Sequence, residues 1–431
     1  MKTKSIITTL IFCFIISGAR LHAQQPNHMK GSVELDPTKN YVSVQLNINY
    51  NLTKDCDSLL FFLHSGLKIE SLDGKEIKNY RISPAKNMLG MEAIPFTNLL
   101  TVFLNNSGRK NKSINFSLNY HGIIGKDEII LGPDAYSDQW VELALGSVWF
   151  PLETSFTFYF THELKINLPS TYTLCGIGNE KFVNGLWTID SEHESEDMVI
   201  VAAKDLLHKK KSTGKYITEV FYTSDRDTGV INFILEMAFK CQQFYNHQFV
   251  KSQPLYSQKF VYPPNRGRSR EEGYSRNPFI MLNHTDSNNR EEMFMFIAHE
   301  IGHFWWNKGN SQTADNFMNE SLAEYCYLMT LRDIKGEDAF AKAIQKKRDA
   351  LNNETPPSIW SLEKNPELNY LLVYQKGPLM LYELEKKIGE KKLIEIFNFL
   401  LENKLNTLKG LVDVIDIKAG KYVAKWFDDS L

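Results

Sequence analysis

Residues 299–303 read His299-Glu300-Ile301-Gly302-His303, two imidazoles four residues apart with a carboxylate between them. In a helix, residues four apart share a face, so both rings can aim a nitrogen at one point. Zinc takes such nitrogens at about 2.1 Å, and a helix supplies them with no loop to order. At 3.6 residues per turn, Glu300 lies about 100° round from His299 and about 60° from His303. It therefore flanks an ion held by the rings without binding it, where a base for the metal-activated water belongs. The plain alternative is a chance match on a core helix, which random order produces roughly 0.02 times in a chain of this composition. Phe294, Phe296, Ile297, Ile301 and Phe304 make the segment strongly apolar, and histidines without partners are costly to bury there. One Zn2+ per chain is expected.

A catalytic zinc takes three protein ligands and keeps one position open for water. Downstream lies Asn319-Glu320-Ser321-Leu322-Ala323-Glu324-Tyr325. The pair His299 and His303 followed by Asn319-Glu320 resembles the gluzincin zinc metallopeptidases, most closely the aminopeptidase N and leukotriene hydrolase branch. The resemblance implies that Glu320 is the third ligand. The gap of 16 residues after His303 is shorter than the about eighteen of typical members, which implies a tighter connection through 307–316. Glu324, one turn on, looks like the carboxylate that orients a metal-bound histidine; the alternative is a surface acid on an exposed helix face. Tyr374-Gln375-Lys376-Gly377 resembles the family's Tyr-x-Lys-Gly segment, whose tyrosine donates to the oxyanion of the tetrahedral intermediate. Val148-Trp149-Phe150-Pro151 and Trp426-Phe427 are similar to further family landmarks, so the resemblance spans most of the mature chain.

Two departures stand out. Where the family carries a Gly-Ala-Met-Glu-Asn strand that reads a free amine, this chain has Gly273-Tyr274-Ser275-Arg276-Asn277. Arg276 takes the place of the amine-binding glutamate, and a cation there repels an ammonium and attracts a carboxylate or phosphate. Gly273, Arg276 and Asn277 are therefore candidate substrate contacts, and Glu271 or Glu272 restores the anion if the loop folds back. Arg266, Arg268 and Arg270 read as a solvated basic loop. The chain also stops at Leu431, near the expected end of the catalytic domain, without the helical domain that caps the cleft in larger members. A more open site that admits longer substrates is the expectation.

The elements that must position these residues fall into two halves. Val42, Val44, Leu46, Ile48 and Tyr50 alternate with polar residues, the period of a strand with one buried face. Ile114–Tyr120 and Phe156, Phe158 and Phe160 repeat the pattern, with shorter candidates at 59–63, 99–104, 163–168, 198–201 and 216–222. Helical spacing begins after Asp225, over 229–249, 290–307, 316–334, 338–350, 377–388 and 390–403, with strands at 258–262 and 279–283. Lys209-Lys210-Lys211 with Ser212-Thr213-Gly214 reads as a loop. The expected fold is multidomain: a signal peptide over 1–23, an all-β sandwich or saddle-like domain over 24–225, and an α+β thermolysin-like domain over 226–431.

Met1–Lys4 is basic, Ile6–Gly18 apolar, and Ala23 a small residue at a cleavage point. That is a secretory leader, too short to span a bilayer, so export to a periplasmic or extracellular location is expected, with no membrane span in the mature form. The 431 residues hold 43% hydrophobic and 23% charged residues, with 12% aromatics. These values fit a globular chain rather than a disordered one. The formal net charge of −2 gives no footprint for nucleic acid. Cys56, Cys175, Cys241 and Cys326 allow three pairings, and none has metal-cluster spacing; Cys241 and Cys326 read as buried free thiols. His64, His247 and His284 have no ligand-like spacing.

The resemblance implies a zinc-dependent hydrolase acting on a peptide or protein, most closely an aminopeptidase, with Glu300 as general base and Tyr374 as oxyanion donor. Arg276 keeps open a zinc endopeptidase, or a peptidase that does not select a free N-terminus. A non-catalytic binding protein on the same scaffold is the third reading.

Overall fold

The computed structural model describes residues 26–88, 91–125, 135–156, 158–249, 254–264, 273–282, 289–351 and 356–431. The expected leader, the basic loop residues Arg266, Arg268 and Arg270, Glu271, Glu272 and His284 lie outside these residues.

The alternation at 41–50 becomes the strand Tyr41–Asn51, with Val42, Val44, Leu46 and Ile48 buried. It pairs antiparallel with His28–Asp36 on one side and Ser113–Ile123 on the other. His28–Asp36 in turn runs parallel to Thr161–Asn167, within a seven-stranded sheet. A four-stranded sheet carrying Cys56–His64 and Met91–Gly108 sends Leu59, Phe61 and Val102 into the same core. The two sheets thus make a sandwich whose apolar faces cover one another. Trp149 is buried at its centre, its indole donating to the Met198 carbonyl at 3.0 Å.

A second four-stranded sheet, which includes Val141–Leu143 and Ile200–Ala203, faces the helical half. Trp140, Cys175, Val199 and Val201 share a core there with Phe221, Val261 and Phe279. A five-stranded sheet anchors the helical half, in the order Leu206–Thr213, Tyr216–Thr223, Ser257–Tyr262, Phe279–Met281, Tyr274–Arg276. Leu206–Thr213 and Tyr216–Thr223 thus form a hairpin whose second strand pairs with Ser257–Tyr262, beyond residue 225. The helices are α1 Thr228–Gln248, α2 Arg290–Gly302, α3 Glu320–Lys335, α4 Glu337–Ala350, α5 Gly377–Ile388, α6 Glu390–Glu402, α7 Leu408–Ala419 and α8 Lys421–Ser430. The last two were not expected from periodicity. Phe427 of α8 is buried edge-on against Phe317.

Three local expectations change. Among the described residues no strand runs through Phe156, Phe158 and Phe160: Phe160 makes an isolated bridge to Ser195, and Phe156 takes φ +56°, a left-handed backbone incompatible with a strand. Phe158 and Phe160 are buried and Phe156 partly so, with Phe158 stacking on Tyr50 at 4.5 Å. Lys209–Lys211 lie in a strand rather than a loop, opposite Val220, Glu219 and Thr218. That strand is a sheet edge, where lysines discourage pairing with another chain, and Lys209 reaches Asn232 at 2.9 Å. The helix expected over 290–307 ends at Gly302, with His303 as its C-cap.

No described helix is long and apolar enough to cross a membrane. Among the described residues the four cysteines are free, and Cys175, Cys241 and Cys326 are buried.

Candidate metal centre

Helix α2 is started by Asn289, whose side chain accepts from Glu292 N, and Glu291 and Glu292 sit in its first turn. Capping and acids at the positive end of the dipole favour a helix beginning there. At its other end Gly302 has no side chain, and a Cβ there would lie 3.0 Å from the Ala323 Cα. The Gly302–Ala323 contact lets α2 and α3 cross closely, and it is this crossing that brings Glu320 to the histidines. Asn319 folds the connection: its amide accepts from Gly309 N at 2.8 Å and donates to Gly309 O at 3.0 Å. That staple closes the short loop and leaves Glu320 as the first residue of α3.

His299, His303 and Glu320 form one cluster whose ligand atoms lie within 4.8 Å of one another. Glu320 Oε2 is 3.3 Å from His299 Nε2 and 3.5 Å from His303 Nε2. Atoms bound about 2.1 Å from one tetrahedral ion lie about 3.4 Å apart. The outer nitrogens set the tautomers. His299 Nδ1 meets the Glu324 carboxylate at 2.7 Å and His303 Nδ1 meets the Trp306 carbonyl at 2.9 Å. Both partners only accept, so each Nδ1 carries a proton, and once a cation takes the place of the proton at Nε2 each ring turns a lone pair inward. Glu320 Oε2 is buried with no hydrogen-bond partner. Three lone-pair donors thus converge on one point, the arrangement that a divalent cation satisfies. The fit to zinc is good.

The electrostatics agree. Burial raises Glu320, but His303, His299 and the Tyr374 hydroxyl outweigh it and hold the carboxyl at about 2. Glu324 is likewise held at about 2, with Lys347 and His299 overcoming burial. Burial opposes a charge on His299, yet Glu320, Glu324 and Glu300 lift it to about 10. The pocket is therefore built to hold positive charge between its rings. Glu300 points elsewhere in character: it is buried, and burial pushes its carboxyl up despite His303 and His299.

Tyr374 lies in a π-helical turn, Tyr370–Lys376, that runs into α5. Such turns are rare and frequent at functional sites. Its hydroxyl hydrogen-bonds Glu320, and burial, then Glu320, Glu300 and Glu324, push the phenol well above its ordinary value. Tyr370 stacks on it at 5.5 Å. A cleft of about 580 Å³ opens from His299, Glu300 and Tyr374, walled by Phe296, Tyr370 and Tyr327.

The edge strand Tyr274–Arg276 runs beside α2, tied to it by Ser275 Oγ donating to the Glu300 carbonyl at 2.9 Å. Arg276 turns toward the β domain. Its Nε donates to Asp197 Oδ2 at 2.8 Å, and Glu196 Oε1 lies 3.7 Å away. Gly273 and Asn277 flank the strand, both half-buried. Glu324 is 5% exposed, so the surface-acid alternative does not hold. Sequence reasoning missed Asn319 as a staple, and also Trp306 and Lys347; none has a local signature, because each acts on a partner reached only through the fold.

Residues 234–424 match the model of the peptidase family M1 domain. The fold is similar to the crystal structure of an M1 zinc metallopeptidase from Deinococcus radiodurans, with TM-score 0.70 and 12% identity over 94% of this chain and 93% of that one. A mutant of the Deinococcus enzyme, bound to a Tyr-Ser-Ala substrate, gives TM-score 0.68 and 13% identity over the same shares. A two-domain M1 zinc metallopeptidase mutant bound to L-tryptophan gives 0.70 and 13%, again over 94% and 93%. At such identity the likeness establishes the fold. No curated protein matches the chain significantly.

Proposed function

From the match of residues 234–424 to the peptidase family M1 domain, we propose that this chain is a zinc metallopeptidase of aminopeptidase-like type, with Glu300 as general base and Tyr374 as oxyanion donor. The observation that carries the reading is the pairing of a three-ligand cluster, His299, His303 and Glu320, with a buried carboxyl of raised pKa one residue past the first ligand. Those three residues would hold a zinc ion, which would supply the lowering of a water's pKa to about 7 and the polarisation of a carbonyl. Glu300 removes a proton from the attacking water, and its raised pKa suits it to return that proton to the leaving amine. Tyr374 stays protonated beside its carboxylate neighbours and donates to the oxygen on which charge develops. Glu324 fixes the His299 ring and so the direction of its lone pair. The leader sequence supports an exported protein.

A second reading, a peptidase indifferent to the free amine, is favoured by Arg276 standing where the family has its amine-binding acid. The guanidinium is shared by Asp197 and Glu196, so the two carboxylates of the β domain outnumber the cation at that edge. The pair can therefore still present an anion to an ammonium.

Free and N-acetylated fluorogenic peptides, each with and without chelator, separate the readings. Chelator-sensitive cleavage of free-amine peptides only supports the aminopeptidase; equal cleavage of acetylated peptides supports the second reading. Inertness toward every peptide class sinks both and leaves a binding protein.

A further inference from the structure

Lys347 lies on α4, in no motif read above, and is 7% exposed. A buried ammonium is costly unless it is paired and hydrogen-bonded, and its partners here come from two separate elements. Nζ donates to Glu324 Oε1 at 2.6 Å and to the Tyr374 carbonyl at 2.8 Å. The other Glu324 oxygen receives His299 Nδ1 at 2.7 Å. One side chain is thus joined through Glu324 to a metal-binding ring, and directly to the backbone that carries the phenol. Its chain neighbour Lys346 is exposed, so burial at 347 is specific to that position.

We propose that Lys347 is a positioning residue that sets His299 and Tyr374 in register with each other. Through Glu324 it fixes the tilt and tautomer of the imidazole. Through the Tyr374 carbonyl it fixes the π-helical turn at the height where the phenol faces the reacting oxygen. A π-helical turn is an irregular piece of backbone, and an ammonium donating to its carbonyl pins it from outside the helix. Stability alone is a poor reason for such a residue, because buried ion pairs are often replaceable by apolar side chains without loss.

The inference rests on the zinc reading, so wild-type zinc content is measured first. Lys347→Met and Glu324→Gln, singly and together, are then compared for zinc affinity by chelator competition, for kcat and KM, and for thermal stability. Lys347→Met is expected to weaken zinc binding or lower kcat by about 10–100-fold, the usual effect of losing an outer partner of a metal ligand. KM should move far less than kcat. The double variant should bind zinc no more weakly than the worse single variant, because Lys347 reaches the metal ring only through Glu324. Lys347→Arg, which keeps charge and donors, should recover part of the loss. A Lys347→Met protein with wild-type zinc affinity and kcat overturns the proposal, even if its melting temperature falls. So does a double variant whose losses in zinc affinity multiply. If Lys347→Met does not fold, Lys347→Gln is judged by the same criteria. A wild-type chain that binds no zinc removes the zinc reading and this one together.

Discussion

The Tyr374 ring lies 17° from parallel to the His299 ring, with centroids 5.6 Å apart. The proposed donor to the reacting oxygen and a ring of the candidate metal cluster are packed on one another. Tyr374→Phe should keep that stack and lose only the hydroxyl. The expected result is a fall in kcat of about 10²–10³-fold, as for other single oxyanion donors, with zinc content and KM close to wild type. Steady-state kinetics with metal analysis checks it; a Phe variant with full turnover removes Tyr374 from the chemistry.

Glu300→Gln keeps the shape of the side chain and removes its basicity. Turnover should fall by about 10²–10⁴-fold, the range for loss of a general base. Zinc should remain at one ion per chain, since Glu300 is not among the clustered ligands. Loss of metal in this variant would contradict the assignment of roles.

Glu320→Gln tests the ligand set from the other side. Among the described residues, Glu320 is the one carboxylate whose oxygen faces both Nε2 atoms. Zinc affinity should drop by more than the 10–100-fold typical of outer partners, and chelator should strip the ion at concentrations the wild type withstands. Equal affinity in wild type and variant would point to a different third ligand.

Gly302 links packing to chemistry. Its hydrogen faces the Ala323 backbone, 3.0 Å from where a Cβ would stand. Gly302→Val must push α2 from α3, at a cost of about 1–3 kcal/mol for overpacking, and it moves Glu320 away from the rings. Lower melting temperature and weaker zinc binding should appear together. A variant that binds zinc normally would show that the crossing is not what sets the cluster.

His162 predicts acid sensitivity. Burial lowers its ring to about 4, partly offset by the Ile177 backbone, against about 6.5 in an unfolded chain. Below pH 6.5 the unfolded state takes up a proton that the folded state refuses until about pH 4. Stability therefore falls as pH drops through that window, by up to about 3 kcal/mol at its acid end. His162→Phe abolishes this contribution. Urea unfolding at pH 7 and pH 4.5 should show a smaller acid loss in the variant than in the wild type; parallel losses would remove His162 as the cause.

Much of the site was legible because it is local. His299 and His303 converge through the pitch of one helix, and Glu300 is set apart from them by the same geometry. The alternation at 41–50 survives as a strand because one face of it meets a core. Legibility failed where a local pattern had two outcomes. Phe158 and Phe160 are buried without lying in a strand. Lys209–Lys211 looked like a solvated loop, yet a sheet edge leaves lysines just as solvated.

By itself, then, the sequence determined an imidazole pair with a flanking base, and pattern similarity pointed to Glu320, Glu324 and Tyr374. Periods of two and 3.6 arise within a few residues, so they can be read without knowing what lies opposite. Only the tertiary structure decided what faces what. It crossed α2 over α3 at Gly302, turned Arg276 toward an aspartate 79 positions away, and set Lys347 between a glutamate and a tyrosine carbonyl. Those contacts depend on how apolar faces stack, a property of the whole chain that no short stretch of residues carries.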